Sequence, residues 1–316
     1  MWEMQSEVVA REITVPAPAE TLYAIVADVS SWPQFHPSAV HAEVCLRDLS
    51  GTLIRHWALA DHESVRTWRA RWQFDPAANR IRFAHETPPA PFRSLSGEWA
   101  FADLPDGSCQ VTLRHTLTFL PGDRERAEAM VAVVARNTQE LLDSARDAAT
   151  RREELRSLVL SFEDRVFIAG SIRDVYTFLY EANEWPDRIP HVSRLALEQP
   201  APDIQFFDMD TKAPDGSTHS TRSVRVCRPN HLIVYKQIVL PALLDAHTGH
   251  WSFLETPEGV LASARHTVTI KRSALGLLGD EATLSDARRY LRRALSIHSV
   301  RNLNLAKEYA EELAGV

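Results

Sequence analysis

The chain has 316 residues, 45% hydrophobic and 24% charged, which are ordinary proportions for a globular protein. Its formal net charge of −7 argues against a nucleic-acid backbone as partner, and the lack of any apolar run approaching 18 residues argues against a membrane-spanning helix. Met1-Trp2-Glu3-Met4-Gln5 lacks the pattern of a secretory signal, and Cys45, Cys109 and Cys227 are scattered thiols with no CxxC or HExxH nearby, so a cytoplasmic protein without metal or other cofactor is expected.

Glu7–Val15 is rich in β-branched residues and predicts a strand, ended by Pro16 and Pro18. Leu22, Ile25, Val26 and Val29 fall at helical spacing over 19–29, and a short second helix is expected over Trp32–Phe35. Strands follow at about 39–48, 51–59, 63–74, 80–86, 97–104 and 108–119, separated by turn residues such as Asp75-Pro76 and Pro105-Asp106-Gly107. A long helix over about 124–152 carries Ala127, Met130, Val131, Val134, Leu141 and Leu142 at helical spacing. The plan then starts again. A strand over 157–169 precedes a helix N-capped by Ser171, strands follow at about 192–199, 204–212, 218–228, 231–239, 247–255 and 260–270, and a final helix spans 284–314.

Three motifs recur in the same order. Trp32-Pro33 returns 153 residues on as Trp185-Pro186. Gly97-Glu98-Trp99-Ala100-Phe101 returns 152 on as Gly249-His250-Trp251-Ser252-Phe253, and Arg114-His115-Thr116 returns 151 on as Arg265-His266-Thr267. A nearly constant offset of domain size means a tandem duplication, with domains expected at 1–152 and 153–316. In each copy the antiparallel sheet needs a cover, and only the closing helix is long enough to supply it. A bent sheet gripping one helix leaves an interior cavity, a common place for a ligand.

His115 alternates with Leu113, Leu117 and Phe119, and His266 with Ala262, Ala264, Val268 and Ile270, so both imidazoles are expected on the inward face. Each is either a proton carrier that needs no metal or a core histidine tied to a backbone carbonyl. In the second copy Thr221, Ser223, Arg225 and Cys227 share one face of a strand, and alternation does not say whether that face looks inward. Arg225 either binds a phosphate or enolate-like oxygen or is a solvated strand residue. The corresponding strand of the first copy presents Trp68, Ala70, Trp72 and Phe74, an aromatic face without arginine. Trp99 and Trp251 read first as packing anchors and second as cavity lining. Asn137 and Asn302, on the closing helices, either donate into the cavity or face solvent. His191, Tyr235 and His247 are further candidates with no repeated partner, and Arg288, Arg289, Arg292 and Arg293 form a basic cluster on the last helix.

The duplicated Trp-Pro, the Gly-x-Trp-x-Phe strands and the paired His115 and His266 together resemble the di-domain aromatase/cyclases of bacterial type II polyketide synthases. The resemblance covers about residues 7–314. It implies an α+β fold of two tandem helix-grip (START/Bet v1-like) domains, each a curved antiparallel sheet around a long C-terminal helix with an interior cavity. It also implies regiospecific aldol cyclisation and dehydration of the first ring of a carrier-bound poly-β-ketone already reduced at one ketone. On this resemblance Ser223 and Arg225 match the family's Ser-x-Arg and join His266 as catalytic residues. Trp251, Asn302, Tyr235, His115, Trp99, Trp68 and Asn137 would line the substrate. The family's cavity tyrosine after Trp-Pro is absent, its place falling near Ala39 and Val192. The implied partners are an acidic acyl carrier protein, for which the arginine cluster is a candidate landing site, and other synthase components.

Two other readings compete: a hydrophobic-ligand carrier of the same fold, and a first copy that only stabilises the second. A pure carrier would tolerate replacing Arg225 and His266 by apolar residues. No cofactor is needed for the cyclase reading, because a 1,3-dicarbonyl methylene is already acidic and the hard step is selecting one ring closure.

Overall fold

The computed structural model describes residues 6–60, 63–120, 124–212 and 218–315, so the N-terminal pentapeptide read above for a signal lies outside the described residues. The chain divides into two compact units, Met1–Glu154 and Leu155–Val316.

The first unit runs β1 (Ser6–Val15), α1 (Ala19–Ala27), α2 (Trp32–Phe35), β2 (Ala39–Asp48), β3 (Gly51–Leu59), β4 (Val65–Asp75), β5 (Arg80–His85), β6 (Phe92–Asp103), β7 (Cys109–Phe119) and α3 (Arg124–Thr150). Its seven strands form one antiparallel sheet in the order β1-β7-β6-β5-β4-β3-β2. Consecutive strands pair as a meander, and β1 returns to close against β7. The long helix packs on the inner face with Val134, Thr138, Leu142, Ala145 and Ala149, three or four residues apart, buried along one stripe. Strand β6 begins at Phe92, five residues before the predicted start, because Phe92 and Leu95 are buried with Val9, Leu117, Phe119 and Val134. The predicted helix to 152 stops at Thr150, and a separate helix, α4 (Arg152–Leu158), follows.

The second unit repeats the order with β8 (Val159–Ile168), α5 (Ile172–Tyr180), α6 (Trp185–Arg188), β9 (Val192–Ala201), β10 (Ile204–Lys212), β11 (Thr218–Arg228), β12 (Leu232–Val239), β13 (Leu244–Thr256), β14 (Gly259–Ile270) and α7 (Leu284–Ala314). The sheet order is β8-β14-β13-β12-β11-β10-β9, again antiparallel. Two 3₁₀ segments, Ala182–Glu184 and Arg272–Leu278, were not foreseen. Ser171 caps α5 as expected, its side chain accepting from the Asp174 amide at 3.1 Å. Helix α7 starts on a capping box in which Thr283 and Asp286 satisfy each other's backbone amides. It turns Ala287, Leu291, Ser299, Asn302, Leu303, Ala306 and Ala310 onto the buried side. The fold is therefore α+β, two helix-grip units of like topology.

Candidate active site

The strand registers align the two interiors residue by residue. In the second sheet Gln205, Arg225, Tyr235, Gly249, His266 and Phe162 form one transverse row across β10, β11, β12, β13, β14 and β8. In the first sheet the matching row is Thr52, Trp72, Phe83, Gly97, His115 and Val9. Ser223 and Arg225 therefore correspond to Ala70 and Trp72. The arginine row has an indole in the first unit, and Trp68, Ala70 and Trp72 do face inward there, Ala70 and Trp72 being 1% and 4% exposed.

Each row contains a glycine for a steric reason. A Cβ on Gly249 would overlap the Arg265 carbonyl oxygen and the Tyr235 phenol, and one on Gly97 would overlap the Phe83 ring and the Arg114 carbonyl oxygen. The missing side chain lets the ring on the neighbouring strand lie across the gap and reach the histidine beyond. Tyr235 places its hydroxyl 2.7 Å from His266 Nδ1, and Phe83 stands edge-on to His115 with ring centroids 5.4 Å apart.

Both histidines face inward as the alternation predicted, His115 at 8% and His266 at 7% exposure. Nδ1 of His266 lies 3.1 Å from Nε2 of His247, whose own Nδ1 is 2.9 Å from Oε1 of Gln237. Among the described residues nothing hydrogen-bonds to the buried Nε2 of His266. Burial is the main force pushing His266 down to about 4, with Asp164 pulling upward and Arg292 pushing further down. His115 is pushed down to about 4 by burial, with His85 adding to the effect. At neutral pH both rings are uncharged bases.

Arg225 is turned inward and completely buried. Its Nε donates to Gln205 Oε1 at 3.0 Å, Nη1 to the Leu179 carbonyl at 2.9 Å, and Nη2 to the Tyr180 carbonyl at 2.8 Å and also to Gln205 Oε1. Those carbonyls are among the last of α5, which lack helical partners, so the cation also suits the negative end of that helix. Its guanidinium carbon sits 5.2 Å from the Trp185 ring and 5.4 Å from Phe207. Four of its five N–H groups thus serve the protein. A direct grip on a substrate oxygen, expected from the sequence, has one Nη1 hydrogen to work with.

Several predicted residues form one wall. Arg225 lies over Trp185, Trp185 meets Trp251 with centroids 6.1 Å apart, Trp251 meets Tyr235 at 5.1 Å, and Tyr235 bonds His266. Trp251 Nε1 and Asn302 Oδ1, like His266 Nε2, are buried polar atoms without a partner among the described residues. Such atoms ask for a ligand or water. Asn302 lies on the buried side of α7, and Ser223 is buried two residues before Arg225, opposite Gln237. In the first unit Trp68 stacks between His56 (5.2 Å) and His85 (6.0 Å), and Trp99 stacks on Phe101 in the core. Asn137 is half-buried on α3.

Sequence reasoning missed Gln205, Gln237 and Thr138, the partners of Arg225, His247 and His115. The inward alternation of Gln205 and Gln237 was the available signal. It also missed that Arg292 forks onto Asp164 on β8, at 3.1 and 2.8 Å, while stacking 4.2 Å over the Phe162 ring that faces His266. Two grooves lie outside the interiors: one of about 440 Å³ on the outer face of the first sheet around Arg71, Arg82, Glu98 and Arg114, and one of about 710 Å³ along α7. Among the described residues no group of three or more His, Cys, Asp or Glu could hold a metal ion, and no helix is long and apolar enough to cross a membrane.

Two helix-grip units with an imidazole facing each interior define a class of binding and cyclising proteins, and comparison with known proteins narrows it. Residues 15–143 match the family described as polyketide cyclase / dehydrase and lipid transport. Over 301 residues the chain is 38% identical to the granaticin polyketide synthase bifunctional cyclase/dehydratase of Streptomyces violaceoruber, covering 95% of this chain and 93% of that one. It is 35% identical to the actinorhodin polyketide synthase bifunctional cyclase/dehydratase of Streptomyces coelicolor, covering 92% and 93%. Among solved structures it superposes on the di-domain ARO/CYC StfQ of the steffimycin biosynthetic pathway with a TM-score of 0.89, at 51% identity, covering 97% of this chain and 99% of that one. For the di-domain ARO/CYC BexL of the BE-7585A pathway the TM-score is 0.88 at 37% identity, covering 96% and 99%. The chain belongs to the di-domain polyketide cyclase/dehydratases, the aromatase/cyclases. It is an enzyme of polyketide biosynthesis that works alongside other synthase components.

Proposed function

We propose that the second unit closes and dehydrates the first ring of a poly-β-ketone delivered by an acyl carrier protein, with His266 as the proton carrier. The supporting observation is the bare, buried Nε2 of His266 on a ring whose other nitrogen is engaged. Nε2 takes a proton from a methylene between two carbonyls. The carbanion adds to a ketone carbon of the same chain, forming the ring bond, and the imidazolium returns the proton to the new alkoxide. For water loss Nε2 takes the adjacent C–H proton and the imidazolium protonates the departing hydroxyl. A ketone reduced earlier leaves a second hydroxyl whose loss completes aromatisation.

The aromatic wall of Trp185, Trp251 and Tyr235 orders the flexible chain, and that selection of one conformer is the larger part of the rate gain. Arg225 acts from behind this wall, holding the end of α5 against β10 and β11, while Ser223 and Asn302 supply polar contacts. In the first unit His115, Trp68, Trp99 and Asn137 line a more aromatic interior that supports or repeats the step. The groove along α7, with Arg288, Arg289, Arg292 and Arg293, is the proposed landing site for the acidic carrier. Among the described residues no acidic side chain pairs with Arg293, whereas Arg289 pairs with Asp286 and Arg292 with Asp164.

The test is product analysis in a reconstituted synthase with His266→Ala, His115→Ala and the double variant. Folded His266→Ala should release uncyclised or spontaneously closed chains, and wild-type yields of the aromatised product from it would remove the assignment.

A further inference from the structure

We propose that His247 and Gln237 are positioning residues that hold the proton of His266 on Nδ1 and so keep its Nε2 bare. The inference rests on the reading of His266 as proton carrier. Gln237, His247 and His266 stand on the adjacent strands β12, β13 and β14. All contacts between them are close: Gln237 Oε1 to His247 Nδ1 at 2.9 Å, and His247 Nε2 to His266 Nδ1 at 3.1 Å. The Tyr235 hydroxyl lies 2.7 Å from His266 Nδ1 and 3.4 Å from His247 Nε2. His247 and His266 are 4% and 7% exposed, so bulk water does not substitute for these partners.

A carboxamide oxygen only accepts, so His247 carries its proton on Nδ1. Burial, reinforced by His266, holds His247 far below the ordinary imidazole value, so it is neutral and its Nε2 is a lone pair. Two lone pairs 3.1 Å apart repel, so the nitrogen facing it, His266 Nδ1, carries hydrogen. That proton goes to the Tyr235 oxygen, the nearer acceptor at 2.7 Å, which leaves the single lone pair of His247 Nε2 for the tyrosine O–H at 3.4 Å. A neutral ring has one N–H, which leaves His266 Nε2 as an unprotonated acceptor in the interior. The amide oxygen of Gln237, two contacts away, thus selects which nitrogen of His266 can act as base.

The first unit reaches the same tautomer by another device. Leu95 stands two residues before Gly97, where His247 stands two before Gly249, so the relay is absent. Instead the Thr138 hydroxyl on α3 gives its only proton to the Val134 carbonyl at 2.6 Å. It can then only accept from His115 Nδ1, 3.1 Å away. Two unrelated arrangements that put hydrogen on Nδ1 point to Nε2 as the working atom in both units.

The test uses the full-length protein with ¹⁵N-labelled histidine and long-range proton–nitrogen correlation, which distinguishes the two neutral tautomers. Wild type should show His266 protonated on Nδ1. In His247→Phe only the Tyr235 hydroxyl remains beside Nδ1. It should donate, moving the histidine proton to Nε2 and lowering the rate of ring-closed product about 10²-fold, the worth of one general base, with little change in apparent KM. If His247→Phe does not fold, Gln237→Leu frees His247 to donate from its own Nε2 and should move the His266 proton in the same direction. Wild-type His266 protonated on Nε2, or a folded His247→Phe with an unchanged tautomer, would overturn the proposal. If the tautomer moves as described while His266→Ala retains full activity, the relay stands and the proton-carrier reading falls.

Discussion

Replacing Arg225 by alanine removes a cation that three protein acceptors were arranged to meet. The Leu179 carbonyl would lose its side-chain donor, while the Tyr180 carbonyl would keep only Gln205 Nε2 at 3.2 Å and Gln205 Oε1 only the weak Cys227 thiol. At roughly 2 kcal/mol for the orphaned Leu179 carbonyl and about 1 kcal/mol for each of the two weakened acceptors, the gross loss is about 4 kcal/mol. Burying a guanidinium is itself costly, and deleting it returns part of that loss, so a net destabilisation of about 3 kcal/mol is expected. In a unit of this size that lowers its melting temperature by about 6–12 °C. Calorimetry of the full chain should show the transition of the second unit moving alone. Arg225→Lys keeps the charge but cannot make the forked contacts, and it should lose stability as well. A Tm for Arg225→Ala within about 1 °C of wild type would refute the reasoning. It would return Arg225 to the direct oxygen-binding role suggested by sequence, because a residue spent on substrate leaves the fold unmoved when removed. Activity comparisons on this variant belong well below its own melting temperature.

Acid should destabilise the protein through its buried imidazoles. Burial pushes His56 to about 3 and His115 and His266 to about 4, all from an ordinary value of 6.5. Because the folded values are depressed, the unfolded chain binds protons first: stability is intact above pH 6.5 and drains away as pH falls toward 4, by about 1.4 kcal/mol per pH unit for each residue. Urea midpoints measured between neutral and mildly acidic pH should fall accordingly, and a flat profile would show that these rings are not buried neutral. Gly249→Ala should cost about 1–3 kcal/mol and break the Tyr235–His266 hydrogen bond, since the added methyl meets the Arg265 carbonyl oxygen on one side and claims the space of the phenol on the other. A crystal structure of that variant with the 2.7 Å contact preserved would contradict the steric account.

Much of this fold is legible in the sequence. The offset between Trp32-Pro33 and Trp185-Pro186 exposed the duplication, and alternation around His115 and His266 placed both inward because a strand flanked by Leu, Val and Ile has only one face to bury. The early start of β6 was hidden because Arg93 and Ser94 interrupt the apolar pattern between Phe92 and Leu95. Partners were harder. Nothing near Gln205 in sequence announces that it will meet Arg225 twenty residues later, since that meeting is made by strand register and not by spacing. Arg292 was read as one of a charged cluster, although Asp164, 128 residues earlier, holds it over Phe162. The inward direction of Arg225 was undecidable from alternation because both faces of β11 carry buried residues, Val224 and Val226 as well as Ser223 and Cys227.

The indole at position 72 opposite the guanidinium at 225 bears on how the two halves drifted apart. A guanidinium at 72 would find Thr52 where Gln205 stands, and the carbonyl of Val26, counterpart of Leu179, is already taken by the Trp32 indole at 3.2 Å. A change at one of these sites alone is destabilising in either direction, because it strands a charge in one case and a set of acceptors in the other. After the ancestral gene doubled, that coupling would have worked as a ratchet: once one half committed to its cation, recombination or reversion at a single site was penalised, and the halves were free to specialise but not to converge.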